Sequence, residues 1–592
     1  MRSLLRSFRF LRPYTWQAIA AELLLLGMVI ADIAVPFLTQ RIIDDGISQG
    51  NLPLIWRTAL VMLAAALCSA LFAVVNNALS VRVAQAVAHD VRDSIVRKAQ
   101  SFSFANFDRI QTGQLLTRTT SDVNNVQMVV QMGLRILTRA PLWMIGAVVM
   151  LVITSPRLAM LLFAFVPMIL VLVALFARRA GKLYLWVQER LERLNTVLQE
   201  NLAGVRVVKA FVRERHEEGR FETANADLTS RSTQAMRLVA FILPTMTLVM
   251  NAAVIGVLWY GGTVTLAGDL TVGKIVASVN YLSFALFPLM MLAMMLSPLS
   301  AAAASAGRIF EVLDSRPDVS DRSTARVLAD PKGRICFEHV SFSYPGDHNG
   351  DVLRDVSFSA EPGETVAILG ATGSGKSSLI HLIPRFYDAT GGCITFDGTD
   401  IRDLQLRSLR SQVGIALQEA VLFGGTIRDN IRFGAPDASQ DDVVDAAQAA
   451  QATEFIERLP EGYDTAIGSR GVTLSGGQRQ RLAIARALLV RPKVLILDDS
   501  TSAVDIETEV RLQDALDKLL ASSTSNTTRF IVAQRISTVL LADKILVLDR
   551  GELAAIGTHA QLLADSPIYQ DIYASQLGTG IAVEPKEGGA DV

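Results

Sequence analysis

Residues 370–377 read Gly-Ala-Thr-Gly-Ser-Gly-Lys-Ser, directly after the apolar run Thr365–Leu369 and directly before a helical pattern. Glycines let a backbone wrap closely around an anion with its N–H groups turned inward. The start of the following helix adds positive potential at the same place. Lysine and hydroxyl at the end of such a loop suit a triphosphate and its metal: Lys376 for the β- and γ-phosphates, Ser377 for Mg²⁺. The strand–loop–helix setting is the one a P-loop requires. The candidate phosphate cradle is therefore Gly370, Ala371, Thr372, Gly373, Ser374, Gly375, Lys376, Ser377 and Ser378.

Two further segments carry matching chemistry. Val494–Leu497 reads as a second buried strand, ending in Asp498 and Asp499. Two acids at a strand end are unremarkable alone, but beside a P-loop Asp498 is placed to hold Mg²⁺ through water. Between these segments, Leu474-Ser475-Gly476-Gly477-Gln478 opens a basic helix running through Arg479 and Arg481. Ser475 and the N–H groups after it form a second anion-binding helix start.

The elements that must position these residues fall into two unlike halves. The chain has 592 residues, 51% of them hydrophobic and 19% charged. Its mean hydropathy of +0.35 fits a protein with many residues in lipid. Apolar runs recur at 16–38, 58–81, 140–156, 158–177, 238–268 and 275–307, giving six expected spans at 1.5 Å per residue. No run of charged residues marks an ion path within them. Residues 1–14 carry Arg2, Arg6, Arg9 and Arg12, a basic segment expected to lie at the cytoplasmic membrane surface. The loops 82–135 and 178–237 are long, basic and rich in helix formers, so the spans should continue into the cytosol and return. The reversals are expected near Phe104–Gly113 and Glu217–Asp227.

The membrane domain is thus expected over 15–307, a polar linker over 308–331, an α/β nucleotide-binding domain over 332–576 and a flexible tail over 577–592. The three cysteines, Cys68, Cys336 and Cys393, are too scattered for a disulfide framework or a metal site and fit a reducing cytosol.

With six spans, two long cytoplasmic loops, a P-loop and LSGGQ about a hundred residues later, nearly the whole chain resembles the ATP-binding cassette (ABC) transporter family. The order of its halves resembles the exporter and multidrug branch. The resemblance implies a fold of six transmembrane helices with long cytoplasmic extensions, joined to a P-loop ABC ATPase domain. It implies ATP and Mg²⁺ as ligands, residence in the cell's inner membrane and a cytoplasmic nucleotide domain. Tyr344, in VSFSYPG, stands where an aromatic stacks on adenine. Gln418, in GIALQEAVLF, matches the glutamine that senses Mg²⁺ and the γ-phosphate. Ser502 and Asp505 match a loop crossing between two cassettes. In the family two cassettes pair head to tail, each ATP lying between one P-loop and the other subunit's LSGGQ, so a second half-transporter is implied.

Two positions depart from the family pattern. Asp499 replaces the usual glutamate that polarises the attacking water, and Gln534, in IVAQRIS, replaces the usual histidine. The lost methylene leaves the carboxylate about 1.5 Å short, and a misplacement of about 1 Å can cost on the order of a hundredfold in rate. Glutamine can hydrogen-bond a phosphate but cannot carry a proton. Ser469 also stands where many relatives carry glutamate. With LSGGQ intact, the combination resembles the degenerate-site subunit of a heterodimeric exporter whose partner, a different chain, carries the competent Glu and His.

Met290, Met291, Met294 and Met295, with Phe284 and Phe287, would suit a hydrophobic or amphipathic substrate, a drug or a lipid. Import of a metal–chelator complex by the same fold, and an ATP-binding regulatory subunit or channel, are the alternatives. The six spans argue against a soluble cassette ATPase of repair or translation, so no nucleic-acid partner is expected.

Overall fold

The computed structural model describes residues 2–346, 350–468, 474–500, 511–512, 514–516, 526–533, 536–540 and 542–577. Ser469, Ser502, Asp505, Gln534 and the tail beyond Leu577 lie outside the described residues. The chain divides into two compact units, Met1–Gln100 with Thr112–Ser315, and Ser101–Gln111 with Arg316–Val592.

The first unit is helical. Five stretches, Arg2–Ile47, Leu52–Gln100, Thr112–Thr154, Pro156–Ala203 and Glu214–Leu266, are long and apolar enough to cross a bilayer. The sixth expected span falls on the helix Val272–Asp314, whose apolar stretch Val272–Pro288 is shorter among the described residues. In lipid a helix satisfies its own backbone polar groups, which is why the apolar runs take this form. The spans pack through buried Val29, Leu151, Ala253, Val257, Leu282 and Leu286. Tyr281, fully buried, donates its hydroxyl hydrogen to the Ile33 carbonyl at 3.2 Å.

Two sequence expectations are corrected here. The second reversal is not at Glu217–Asp227, which lies inside the helix Glu214–Leu266. The chain turns at Gly204–Arg213, around the short helix Val205–Ala210. Gly219 is carried in the long helix, since one helical glycine costs only about 1 kcal/mol. Val212 instead takes φ +53° and ends the turn. The linker does not begin at Arg308: the last helix continues to Asp314, held by ion pairs that a composition change hides. Arg308 pairs with buried Asp122 at 2.5 Å, Glu311 with buried Arg118 at 2.8 Å, and Asp314 with Arg6 at 2.7 Å. Within the bundle Asp32, on the helix Thr15–Arg41, is 3.3 Å from Arg139, at the start of the helix Arg139–Thr154. Opposite charges 107 residues apart neutralise each other in space, and neither lowers the average of a long apolar run enough to show.

Among the described residues the second unit has twelve strands: β1 (Ile335–Phe342), β2 (Leu353–Ala360), β3 (Thr365–Gly370), β4 (Gly391–Phe396), β5 (Thr399–Asp400), β6 (Val413–Ala416), β7 (Gly425–Thr426), β8 (Ala466–Ile467), β9 (Val494–Asp498), β10 (Thr528–Val532), β11 (Lys544–Asp549) and β12 (Glu552–Gly557). They form a six-stranded sheet, β12-β11-β3-β10-β9-β6, a four-stranded sheet, β2-β1-β4-β5, and the pair β7-β8. In the larger sheet β11, β3, β10, β9 and β6 run parallel. All five residues of β9 and the first five of β3 are buried, as expected for strands covered on both faces.

The segment Ser101–Gln111 packs as part of this second unit, although it interrupts the membrane helices in sequence. A capping box between Ser103 and Asn106 starts its helix, Phe104–Arg109. Phe104 stacks on Phe386 at 4.1 Å between centroids, Tyr387 donates to Asp108 at 2.8 Å, and Arg109 pairs with Asp318.

The Asp122–Arg308 pair is asymmetric, with Asp122 buried and Arg308 half exposed. Removing the arginine strands a buried charge, whereas removing the acid leaves a hydrated one. Arg308→Ala should therefore cost roughly 2–3 kcal/mol and Asp122→Asn about 1 kcal/mol or less. Thermal unfolding of the purified protein in nanodiscs reads the difference, and equal losses would contradict it.

Candidate nucleotide site

The ladder of the larger sheet sets the site. Val532 of β10 is level with Ile368 of β3 on one side and with Asp498 of β9 on the other. Gly370 and the loop after it therefore emerge beside Asp498, at the carboxyl ends of the strands, where ligands bind in open α/β sheets.

The loop itself is tightly constrained. Gly375 has φ +99°, and a methyl there would come within 2.8 Å of Leu353 Cδ2 and 3.0 Å of the Val352 carbonyl. Gly370, at φ +153°, would press a methyl on Ser374 Oγ at 2.7 Å. Ala371, Thr372 and Gly373 are exposed, and nothing lies within 4 Å of a methyl at Gly373. The helix Lys376–Leu382 begins at the loop's end.

Lys376 Nζ folds onto the loop carbonyls of Gly370 and Ala371, at 2.8 Å each. Burial holds its pKa below the usual lysine value, and Asp499 and Asp498 oppose that. Ser377 Oγ donates to Asp498 Oδ1 at 3.2 Å. Burial pushes the Asp498 carboxyl above the ordinary carboxylate range, against the opposing pull of Ser377 and Lys376. Gln418 Nε2 donates to Asp499 Oδ2 at 3.3 Å. Asp499 has φ +47°, a left-handed conformation that aspartate tolerates better than most side chains.

Tyr344, just after β1, is half-buried, with its hydroxyl 2.9 Å from Ser378 Oγ. It sets an edge against Phe342 and Tyr387. Ser475 caps the helix Gly476–Leu489 in a capping box with Gln478, behind buried Leu474. Gly477 lies in the first turn of that helix. Ser475's hydrogen bonds stay within this turn, and among the described residues none reaches 370–377. Ser475 and Gly476 are exposed.

These residues fit ATP and Mg²⁺. Ser374 Oγ is buried and among the described residues has no hydrogen-bond partner, in a loop whose backbone can donate to phosphate. A hydroxyl and a carboxylate 3.2 Å apart are hard oxygen donors of the kind Mg²⁺ takes.

One residue was missed in the sequence. His381 Nε2 lies 3.7 Å from Asp498 Oδ2, and burial lowers its pKa. Its position four residues after Ser377, on the same helix face, was the available signal.

An acid with a raised folded-state pKa withdraws stability as pH rises through that pKa. At neutral pH and above, Asp498→Asn should therefore raise the melting temperature of nucleotide-free protein, while Mg²⁺ with ATP should no longer raise it. Calorimetric scans at acid and neutral pH check both effects. A neutral-pH melting temperature that falls, or full stabilisation by Mg²⁺ with ATP, would contradict the role given to this carboxylate.

The family described as ABC transporter transmembrane region matches residues 19–289, and the ABC transporter family matches 353–502. An uncharacterized ABC transporter ATP-binding protein of Bacillus subtilis, YfiB, is 40% identical over 97% of this chain and 98% of its own length. The multidrug efflux ATP-binding/permease protein Rv0194 of Mycobacterium tuberculosis is 38% identical over 93% of this chain and 45% of its own length. A bacterial Atm1-family ABC exporter solved with ATP bound aligns with a TM-score of 0.80 at 28% identity, covering 97% of this chain and 99% of that one. The chain belongs to the ABC transporter family and is a multi-pass exporter half with its membrane and ATPase domains fused in one polypeptide.

Proposed function

We propose that this chain exports a hydrophobic or amphipathic compound as one half of a heterodimer, and that the ATP site built on its own P-loop hydrolyses slowly. The observation that carries this reading is Asp499: a carboxylate one methylene short of the family's glutamate, held by Gln418, in a chain whose signature helix is intact. Gln534, a glutamine in the family's histidine position, points the same way.

In this reading the loop N–H groups and Lys376 hold the triphosphate, with Tyr344 beside the adenine. Ser377, Asp498 and Gln418 hold Mg²⁺, which supplies charge neutralisation on the β- and γ-phosphate oxygens. Asp499 and Gln534 orient the attacking water poorly. Ser475, Gly476, Gly477 and Gln478 complete the partner's faster site, and Ser502 and Asp505 cross between the cassettes. The domain carrying these residues lies on the cytoplasmic side of the cell's inner membrane.

Closure of the two cassettes would act on the membrane helices through Ser101–Gln111, which is covalently continuous with them and packs in the nucleotide unit. Such closure can shift the inward- and outward-open populations only by its differential affinity for the two states. A slow site that keeps its nucleotide holds the cassettes partly engaged between turnovers.

Purified alone, the chain should show at most weak ATPase activity; a robust homodimeric ATPase would overturn the heterodimer. Asp499→Glu should restore little activity while Gln534 remains, and turnover at the rate of an ordinary exporter would show that the site is not degenerate. Lys376→Ala should weaken ATP binding at this site by at least about tenfold, since it removes a charge-assisted contact. Unchanged occupancy by a fluorescent ATP analogue would remove the basis for the site.

A further inference from the structure

The Asp32–Arg139 pair belongs to a larger feature of the membrane unit. A cavity of about 280 Å³ opens between the helices Thr15–Arg41, Leu52–Gln100, Arg139–Thr154 and Val272–Asp314, at the lower edge of the size range of small-molecule sites. Its wall combines two arginines, Arg135 and Arg139, with Trp143, Phe287 and Met291.

The charges do not cancel. Asp32 is already engaged, accepting from Ser69 Oγ at 2.6 Å and from Arg139 at 3.3 Å. Arg135 is half-buried, and among the described residues no carboxylate pairs with it. The cavity therefore keeps about one unit of positive charge in surroundings where an unpaired cation is costly.

Two polar atoms of these lining residues, Arg139 Nε and Trp143 Nε1, are buried and among the described residues have no hydrogen-bond partner. The Arg139 guanidinium stacks over the Trp143 ring at 3.8 Å, and Phe284 stacks on Trp143 at 5.5 Å between centroids, so both donors are held in place. Arg135 sits in a wider π-type turn, Gly133–Leu137, a local irregularity frequent at functional sites. Guanidinium groups such as the two in this lining pair with acidic groups, and apolar ligand bodies fit the aromatic and methionine wall.

We propose that this cavity is a substrate subsite for an amphipathic anion: Arg135 and Arg139 take the acidic group, and Trp143, Phe287 and Met291 take the apolar body. The proposal rests on the export reading above and deepens it by naming the charge of the substrate. Acidic lipid headgroups and free organic anions present the same chemistry to the site.

The test uses the complete transporter, with whatever partner co-purifies, in nanodiscs of zwitterionic lipid. The probes are 1-anilinonaphthalene-8-sulfonate and its uncharged parent N-phenyl-1-naphthylamine, which share one ring body. Arg135→Gln should weaken sulfonate binding by roughly tenfold and change binding of the parent less than about twofold. Arg135→Lys should recover most of the loss, and the melting midpoint of each variant checks that it is folded.

An unchanged sulfonate-to-parent ratio in folded Arg135→Gln overturns the site. Displacement of the sulfonate by phosphatidylglycerol in the disc assigns the anion to an acidic lipid, and its absence assigns it to a free amphipath. ATP-driven accumulation in inside-out vesicles separates the two readings. Uptake of the uncharged parent with no preference for the sulfonate sinks the anionic subsite and leaves export standing. Arg135-dependent binding without ATP-driven uptake of either probe supports the subsite and counts against export of such compounds.

Discussion

The parallel pairing of β3, β10 and β9 is the constraint on which the nucleotide site depends. One strand, β10, places Ile368 and Asp498 at the same level on its two sides. A slip of one residue would turn Asp498 to the opposite face and take its carboxylate from Ser377. The buried, β-branched and leucine-rich faces of these strands hold that register, because polar residues cannot be exchanged into them cheaply. The phosphate loop is therefore positioned by hydrophobic burial several residues away from any charged group.

The charged groups gathered there work against folding. Burial raises the pKa of Asp498 and lowers that of Lys376, so each is penalised in its ionised form. His381, beside Asp498, is held towards neutrality in the same way. Strain and unpaired polar groups of this kind cluster at functional sites and persist because the surrounding sheet over-determines them. The buried Ser374 hydroxyl, without a partner among the described residues, and the left-handed Asp499 belong to the same pattern. A counterpart in the helical unit is the pair of buried donors Arg139 Nε and Trp143 Nε1, without a partner among the described residues, on side chains that line a cavity.

How much could be read in advance depended on chain distance. The P-loop, the signature helix and the apolar runs are contiguous, so their residues report their own local structure. Gly375 must be glycine for reasons that lie largely in its own φ, and Ser475 caps a helix with a residue three positions on. The second reversal falls after Gly204, where Val212 adopts a left-handed conformation, and not at Glu217–Asp227, whose helix formers continue the helix Glu214–Leu266. The last helix ran past its expected end because Arg308 and Glu311 find partners 186 and 193 residues away.

Taken alone, the amino-acid order determined the chemistry class: a nucleotide-binding loop, a candidate carboxylate for magnesium, a candidate second anion-binding helix start and a set of membrane spans. Each is a pattern of near neighbours, governed by backbone conformation and local hydropathy. Only the tertiary structure decided which distant groups meet. It set Gln418 on Asp499 and Tyr387 on Asp108, and it packed Ser101–Gln111 in the nucleotide unit. It also brought Asp32 to Arg139 inside the helix bundle. Such contacts follow from how whole hydrophobic surfaces pack, and packing a surface involves every element that contributes to it.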